Sequence, residues 1–172
     1  MRATENNFAY IDTTNLSLGV ASMGWFLDFK KFRIYLKEKY RVSVAYLFLG
    51  YLPNNQDWYN FLQKAGYVLI FKPVLPDKDG KPKGNCDADL VLRCLIDFYK
   101  NKFDSSIIVS SDGDFYSLVN HLYQNKKLLK VISPYKKTCS LLLRKSAKER
   151  IIFLDNLKQK LSRGTFKRKS TA

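Results

Sequence analysis

The chain has 172 residues, 46% of them hydrophobic, which suits one domain with a substantial core and excludes a disordered chain. Thirty Lys and Arg against 15 Asp and Glu leave a formal charge of +15, so the expected partner is a polyanion. Nucleic acid is favoured over an acidic membrane surface, because no amphipathic stretch pairs its charge with an exposed apolar face, and no uncharged apolar run reaches the ~18 residues of a membrane span.

Glu5 and Asp12 interrupt the early apolar residues, unlike a signal peptide, and the expected location is cytoplasmic. Cys86, Cys94 and Cys139 show no paired spacing, which argues against a disulfide framework or a zinc knuckle and leaves them as core or near-surface thiols.

Phe8 to Ile11 is an apolar run ending on Asp12, followed by Thr13, Thr14 and Asn15. It reads as a buried strand that delivers a carboxylate at its carboxyl end, beside small polar residues that turn the backbone. Ser17 to Met23 reads as a loop or a first helical turn. From Trp25 to Tyr40, the residues Trp25, Phe29, Phe32, Leu36 and Tyr40 recur at helical spacing among Lys30, Lys31, Arg33, Lys37 and Lys39. This predicts a basic amphipathic helix on the core, with a nucleic-acid face as the alternative.

Val42 to Leu49 predicts a second strand ending at Gly50. Asn54 to Asp57 then starts a helix with Trp58, Phe61, Leu62 and Ala65 on its apolar face, terminated by Gly66. Tyr51, Trp58 and Tyr59 fall near the carboxyl edge of the strand, where they either pack and anchor a loop or stack on bases. Tyr67 to Phe71 predicts a third strand, stopped by Pro73 and Pro76.

Asp77 to Gly84 reads as an exposed loop, in which Gly80 and Lys81 break the ligand order of a calcium site. The next helix starts at Asn85 to Asp87 and buries Leu90, Val91, Cys94, Leu95 and Phe98. Arg93 stands four residues from both Asp89 and Asp97, the spacing of ordinary surface pairs, whereas Asp87 stands at or near the N-cap.

Ile107 to Phe115, IIVSSDGDF, passes from a wholly apolar run into two carboxylates. Residues two apart in extended backbone point the same way, so Asp112 and Asp114 converge; alternatively, Asp114 only caps the helix beginning at Phe115. That helix buries Leu118, Val119 and Leu122 and carries His121, expected at the surface. Being the only histidine, it excludes chemistry that needs a pair. Leu128 to Ile132 predicts a strand, Cys139 to Ala147 a short helix and Ile151 to Leu154 a last strand. Residues 1–157 form the expected domain, and 158–172 a basic tail, expected to be disordered, that is either merely solvated or a tether for nucleic acid.

Strands alternating with helices predict an α/β fold, a mostly parallel central sheet with helices on both faces in a three-layer sandwich. Strand carboxyl ends and the starts of the following helices share one edge of such a sheet, so Asp12, Asp87, Asp112 and Asp114 are expected to meet there. Clustered carboxylates repel one another unless a cation intervenes, and an oxygen-only donor set selects Mg2+ or Mn2+, one ion or a pair about 4 Å apart.

Three segments carry a family resemblance: Ile11-Asp12 with Asn15, then Lys83-Gly84-Asn85-Cys86-Asp87, then Val109 to Phe115. In order and spacing, over about residues 8 to 155, they resemble the motif series of the NYN domain family of PIN-like nucleases. The resemblance implies a PIN-like fold and an Mg2+- or Mn2+-dependent ribonuclease acting on flexible, single-stranded RNA through an activated water. Asp12, Asp87, Asp112 and Asp114 would be its metal-binding and catalytic acids. Asn15, Ser110 and Ser111 would orient them or the phosphate, with Lys83 and Arg93 on the substrate side. Thr13 stands where the family often has Gly, and Arg93 where relatives often place an acid, so Arg93 would contact phosphate rather than complete a second metal site.

The competing reading is a non-catalytic RNA-binding or regulatory module on the same fold. A haloacid-dehalogenase phosphatase fits poorly, since its Asp-x-Asp comes early and only Glu149 and Asp155 follow Asp114 here. No Gly-rich loop with Lys and Ser or Thr suggests an NTPase.

Overall fold

Phe8 to Ile11 lacks polar alternation because its strand is covered on both faces. The computed structural model describes residues 5–73, 75–76, 82–83 and 86–164, with the backbone alone at 75, 76, 82 and 83. Strand β1 (Asn7–Asp12) pairs in parallel with β2 (Val42–Tyr51), and β2 with β3 (Val68–Pro73). β4 (Leu75–Pro76) and β5 (Pro82–Lys83), the latter within the segment expected as a loop, form a small antiparallel pair. The chain then returns to the other side of β1 through β6 (Ser106–Val109), β7 (Leu128–Ser133) and β8 (Ile151–Phe153). The sheet order is β3-β2-β1-β6-β7-β8, all parallel, so the winding reverses between β1 and β6. The crevice at the carboxyl ends of these two strands is where such sheets bind ligands.

Side chains of β1 alternate between two cores. Ala9 and Ile11 pack under α1 (Thr13–Ala21), α2 (Phe29–Tyr40), α3 (Gln56–Lys64) and α7 (Lys158–Leu161). Phe8 and Tyr10 face α4 (Asp87–Tyr99), α5 (Tyr116–Gln124) and α6 (Leu141–Ala147). The expected three-layer α/β sandwich is therefore the observed fold. Among the described residues no helix is long and apolar enough to cross a membrane.

Several local expectations change. The segment read as a loop or a first helical turn at Ser17 to Met23 falls mostly within α1, which buries Thr13, Leu16 and Val20. Helix α2 begins at Phe29 rather than Trp25, because Asp28 Oδ1 accepts the Lys31 backbone N–H at 3.1 Å. The chain does not leave the domain at residue 158. Leu161 is fully buried and Ser162 bridges to Leu27, which ties α7 to the core; residues 165–172 of the expected tail lie outside the described residues. His121 is only partly exposed, lying 5.0 Å from the Phe98 ring, since α5 packs beside α4 and the helix flank read as polar meets aromatics.

Helix α1 approaches the turn after β7 so closely that a Cβ on Gly19 would lie 2.6 Å from Cγ and 2.7 Å from Cβ of Pro134. The Pro134 ring cannot rotate away. Gly19→Ala is therefore expected to cost about 1–3 kcal/mol, the usual penalty of overpacking, read as a lower urea midpoint with an unchanged slope.

Candidate metal centre

Asp12 ends β1 and also caps α1: its Oδ1 accepts the Asn15 backbone N–H at 3.1 Å. Because Ile11 pairs with Val109, the next residue on each strand brings Asp12 beside Ser110. The Ser110 hydroxyl donates to Asp12 Oδ2 at 3.3 Å and accepts the Asp112 backbone N–H at 3.1 Å. Asn15 Oδ1 in turn accepts both the backbone N–H and the hydroxyl of Ser111, at 2.8 and 2.9 Å. These bonds stitch the two strand ends together across the crevice, and they satisfy two buried serines. The Asn15 N–H and the Ser110 hydroxyl thus hold Asp12, while Ser111 is bonded to Asn15.

The capping roles of the two later acids are reversed from expectation. Asp112 Oδ1 accepts the Asp114 backbone N–H at 2.9 Å and caps the tight turn Gly113–Phe115 that leads into α5. A cap must precede the turn in extended backbone, as Asp112 does, whereas Asp114 already lies inside it. The Asp114 side chain is thus left exposed. Gly113 lies close to Ser140: a Cβ there would lie 2.5 Å from Ser140 Oγ and 3.2 Å from its Cβ, and the Ser140 N–H donates to Ser111 O at 3.0 Å.

Asp87 is the first residue of α4, where the helix N-terminus favours an acid. Asp87, Asp112 and Asp114 each bring a carboxylate oxygen to a common point, these atoms lying within 4.8 Å of one another. Asp12 stands outside that trio but lines the same cavity, of about 300 Å³, with Asp87, Asp112, Thr14 and Cys86.

Burial chiefly, and then the charges of Asp87 and Asp112, hold the Asp12 carboxyl above the usual aspartate range, against the Asn15 N–H and Ser110 hydroxyl that pull it down. Burial, and then the charge of Asp89, push the Cys86 thiol up from its ordinary range. Three or four carboxylates with neither His nor thiolate among them fit a hard divalent ion such as Mg2+ or Mn2+.

A native pKa raised above its unfolded value means that the folded protein retains a proton the unfolded chain has lost. In the metal-free protein the stability from Asp12 therefore declines as pH rises from the ordinary aspartate value through the raised one. Asp12→Asn, which keeps an oxygen for the Asn15 cap, is expected to flatten that decline in pH-dependent thermal melts. Mn2+ is expected to stabilise the wild type more at pH 7 than at pH 5.

Arg93, expected on the substrate side, is engaged within the fold. Arg93 donates from Nε to Asp97 Oδ2 at 3.1 Å and from a terminal nitrogen to the Tyr46 hydroxyl at 2.8 Å, its guanidinium lying 4.8 Å from the Tyr46 ring centre. Nor are Asp89 and Asp97 a matched surface pair for it: Asp89 faces Lys72 at 3.5 Å, and Asp97 is wholly buried. Lys83 lies on β5, its side chain outside the described residues. Thr14, Leu18 and Gly50 line the cavity without having been singled out, although Thr14 and Leu18, two and six residues after Asp12 on α1, would have shown it had that helix been recognised.

The family model of the NYN domain matches residues 8–155, all three acidic motifs included. The chain belongs to the NYN domain family. NYN domains are PIN-like and are generally nucleases that act on RNA and use divalent ions, so the family supports a hydrolase with an RNA partner, and a group of three neighbouring aspartates is present. The NYN fold of this chain is similar to the crystal structure of a protein of unknown function from Vibrio parahaemolyticus, with a TM-score of 0.76 and 22% identity over 94% of this chain and 98% of that one. That likeness shows the fold alone. No curated protein matches the chain.

Proposed function

We propose that the protein is an Mg2+- or Mn2+-dependent ribonuclease that hydrolyses phosphodiester bonds of flexible, single-stranded RNA. The observation that carries the reading is the convergence of the Asp87, Asp112 and Asp114 carboxylates at the switch point of a sheet in a chain of charge +15. These three side chains would hold the ion. When bound, a divalent ion supplies Lewis-acid activation of water and offsets charge on the phosphate oxygens.

Asp12, fixed by Asn15 and Ser110, adds a further acid to the cavity wall beside Asp87 and Asp112. The Ser111–Asn15 bonds hold the two strand ends in register, so the acids are set before substrate arrives. The basic surface draws the polyanion in, and its attraction weakens as salt rises.

The test is cleavage of end-labelled single-stranded RNA. Product is expected with Mn2+ or Mg2+ and not with chelator. Undiminished RNA binding with no cleavage under either ion would replace the enzyme by the binding module.

A further inference from the structure

We propose that a groove leading from the acidic cavity to Trp58 and Phe61 is a base-stacking subsite for single-stranded RNA. A base a few nucleotides from the scissile phosphate would lie against these rings, with Arg163 taking an adjacent phosphate. The proposal rests on RNA being the ligand of the acidic cavity. A second cavity, of about 420 Å³, shares Thr14, Leu18 and Gly50 with the acidic one and ends at Trp58. A third, of about 410 Å³, continues from Trp58 and is lined by Phe61, Arg163 and Asp28. The first two cavities thus share three lining residues, and the second and third share Trp58.

The Trp58 and Phe61 rings are nearly parallel, 14° apart with centres at 5.4 Å, and Phe61 is 40% exposed. The Arg163 guanidinium lies 5.3 Å from the Trp58 ring centre. Aromatic faces beside a cation are the elements that hold unpaired bases, because every base has a π-face. Asp28 at the cavity wall disfavours a phosphate inside it, so the base enters and Arg163 meets the phosphate. A second copy of this chain would bring another +15 to the same face, whereas an RNA strand brings the opposite charge.

The tryptophans make the test direct, since Trp25 is buried and Trp58 is the reporter on the groove. Metal-free protein titrated with a single-stranded oligoribonucleotide is expected to lose Trp58 fluorescence, and Trp58→Phe, which retains a ring, to lose none. Trp58→Ala is expected to weaken single-strand binding roughly 5- to 150-fold, the range for one stacked base.

Because Trp58 also packs edge-on against Phe29 at 5.3 Å, Phe61→Ser on the exposed ring is a second variant, expected to weaken binding in the same sense. Arg163→Gln, on an exposed side chain, is expected to lower the salt slope of binding by about one. Full fluorescence at saturating RNA, or equal quenching by duplex RNA, would overturn the subsite. A signal that varies with protein concentration without RNA would assign the groove to a second copy and overturn it as well. Quenching without cleavage would leave the subsite standing and count against the catalytic reading; cleavage with Trp58→Ala and Phe61→Ser binding normally would do the reverse.

Discussion

Asp112→Asn is expected to abolish metal-dependent cleavage while leaving the fold intact. The Asn side-chain oxygen still accepts the Asp114 backbone N–H, so the turn into α5 keeps its cap. What is lost is one negative charge among three clustered carboxylates, and with it an oxygen donor. Losing an outer partner of a metal ligand already costs roughly 10- to 100-fold in affinity or activity. Loss of a ligand itself should therefore lower kcat/KM by more than about 100-fold. Without metal the variant should melt at or above the wild-type temperature, because a repulsive charge has gone. RNA binding in the absence of metal should be unchanged, and retention of cleavage within about threefold would remove Asp112 from the centre.

Arg93→Ala is expected to act on stability rather than on RNA. The buried Asp97 carboxylate accepts from the Tyr10 hydroxyl at 3.1 Å and from Arg93 at 3.1 Å, with Lys102 Nζ at 3.6 Å. Burial raises the Tyr10 phenol well above the usual tyrosine range, so it remains a donor to Asp97. Removing one partner of a buried charge costs about 3–5 kcal/mol when nothing replaces it. Here Lys102 remains and the Arg93 side chain is 37% exposed, which reduces the expected loss to about 2–3 kcal/mol.

The melting temperature should fall by about 5–10 °C, with cleavage well below it within about twofold of wild type. Arg93→Lys should restore only part of the loss, because one ammonium cannot fork between Asp97 and Tyr46 while lying over the ring. A raised KM at unchanged stability would instead make Arg93 a phosphate contact.

These two residues mark the reach of the sequence. Asp112 is legible because an apolar strand that turns abruptly into Ser-Ser-Asp-Gly-Asp has one place in an α/β sheet, and Asp12 and Asp87 follow from the same rule. Arg93 is misleading. Its spacing to Asp97 is that of a surface pair, and nothing local says that Tyr10 donates to that buried acid or that Tyr46 accepts from Arg93, both many residues away. The exchange of capping roles between Asp112 and Asp114 has a similar origin, since either could cap a helix whose first turn is tight and 3-10-like, and only the backbone angles decide. Helix α1 was hidden because it buries only Thr13, Leu16 and Val20 and the cap that starts it is itself a candidate site residue. Leu161 looks like part of a basic tail until α7 is seen packed beside α2.

The most direct measurement is anomalous diffraction from crystals soaked in Mn2+. A peak is expected in contact with carboxylate oxygens of Asp87, Asp112 and Asp114, at about 2.1 Å, and is expected to be absent from Asp112→Asn crystals under the same soak. A wild-type crystal with no peak among these three residues, or with Mn2+ bound only elsewhere, would contradict the proposed centre.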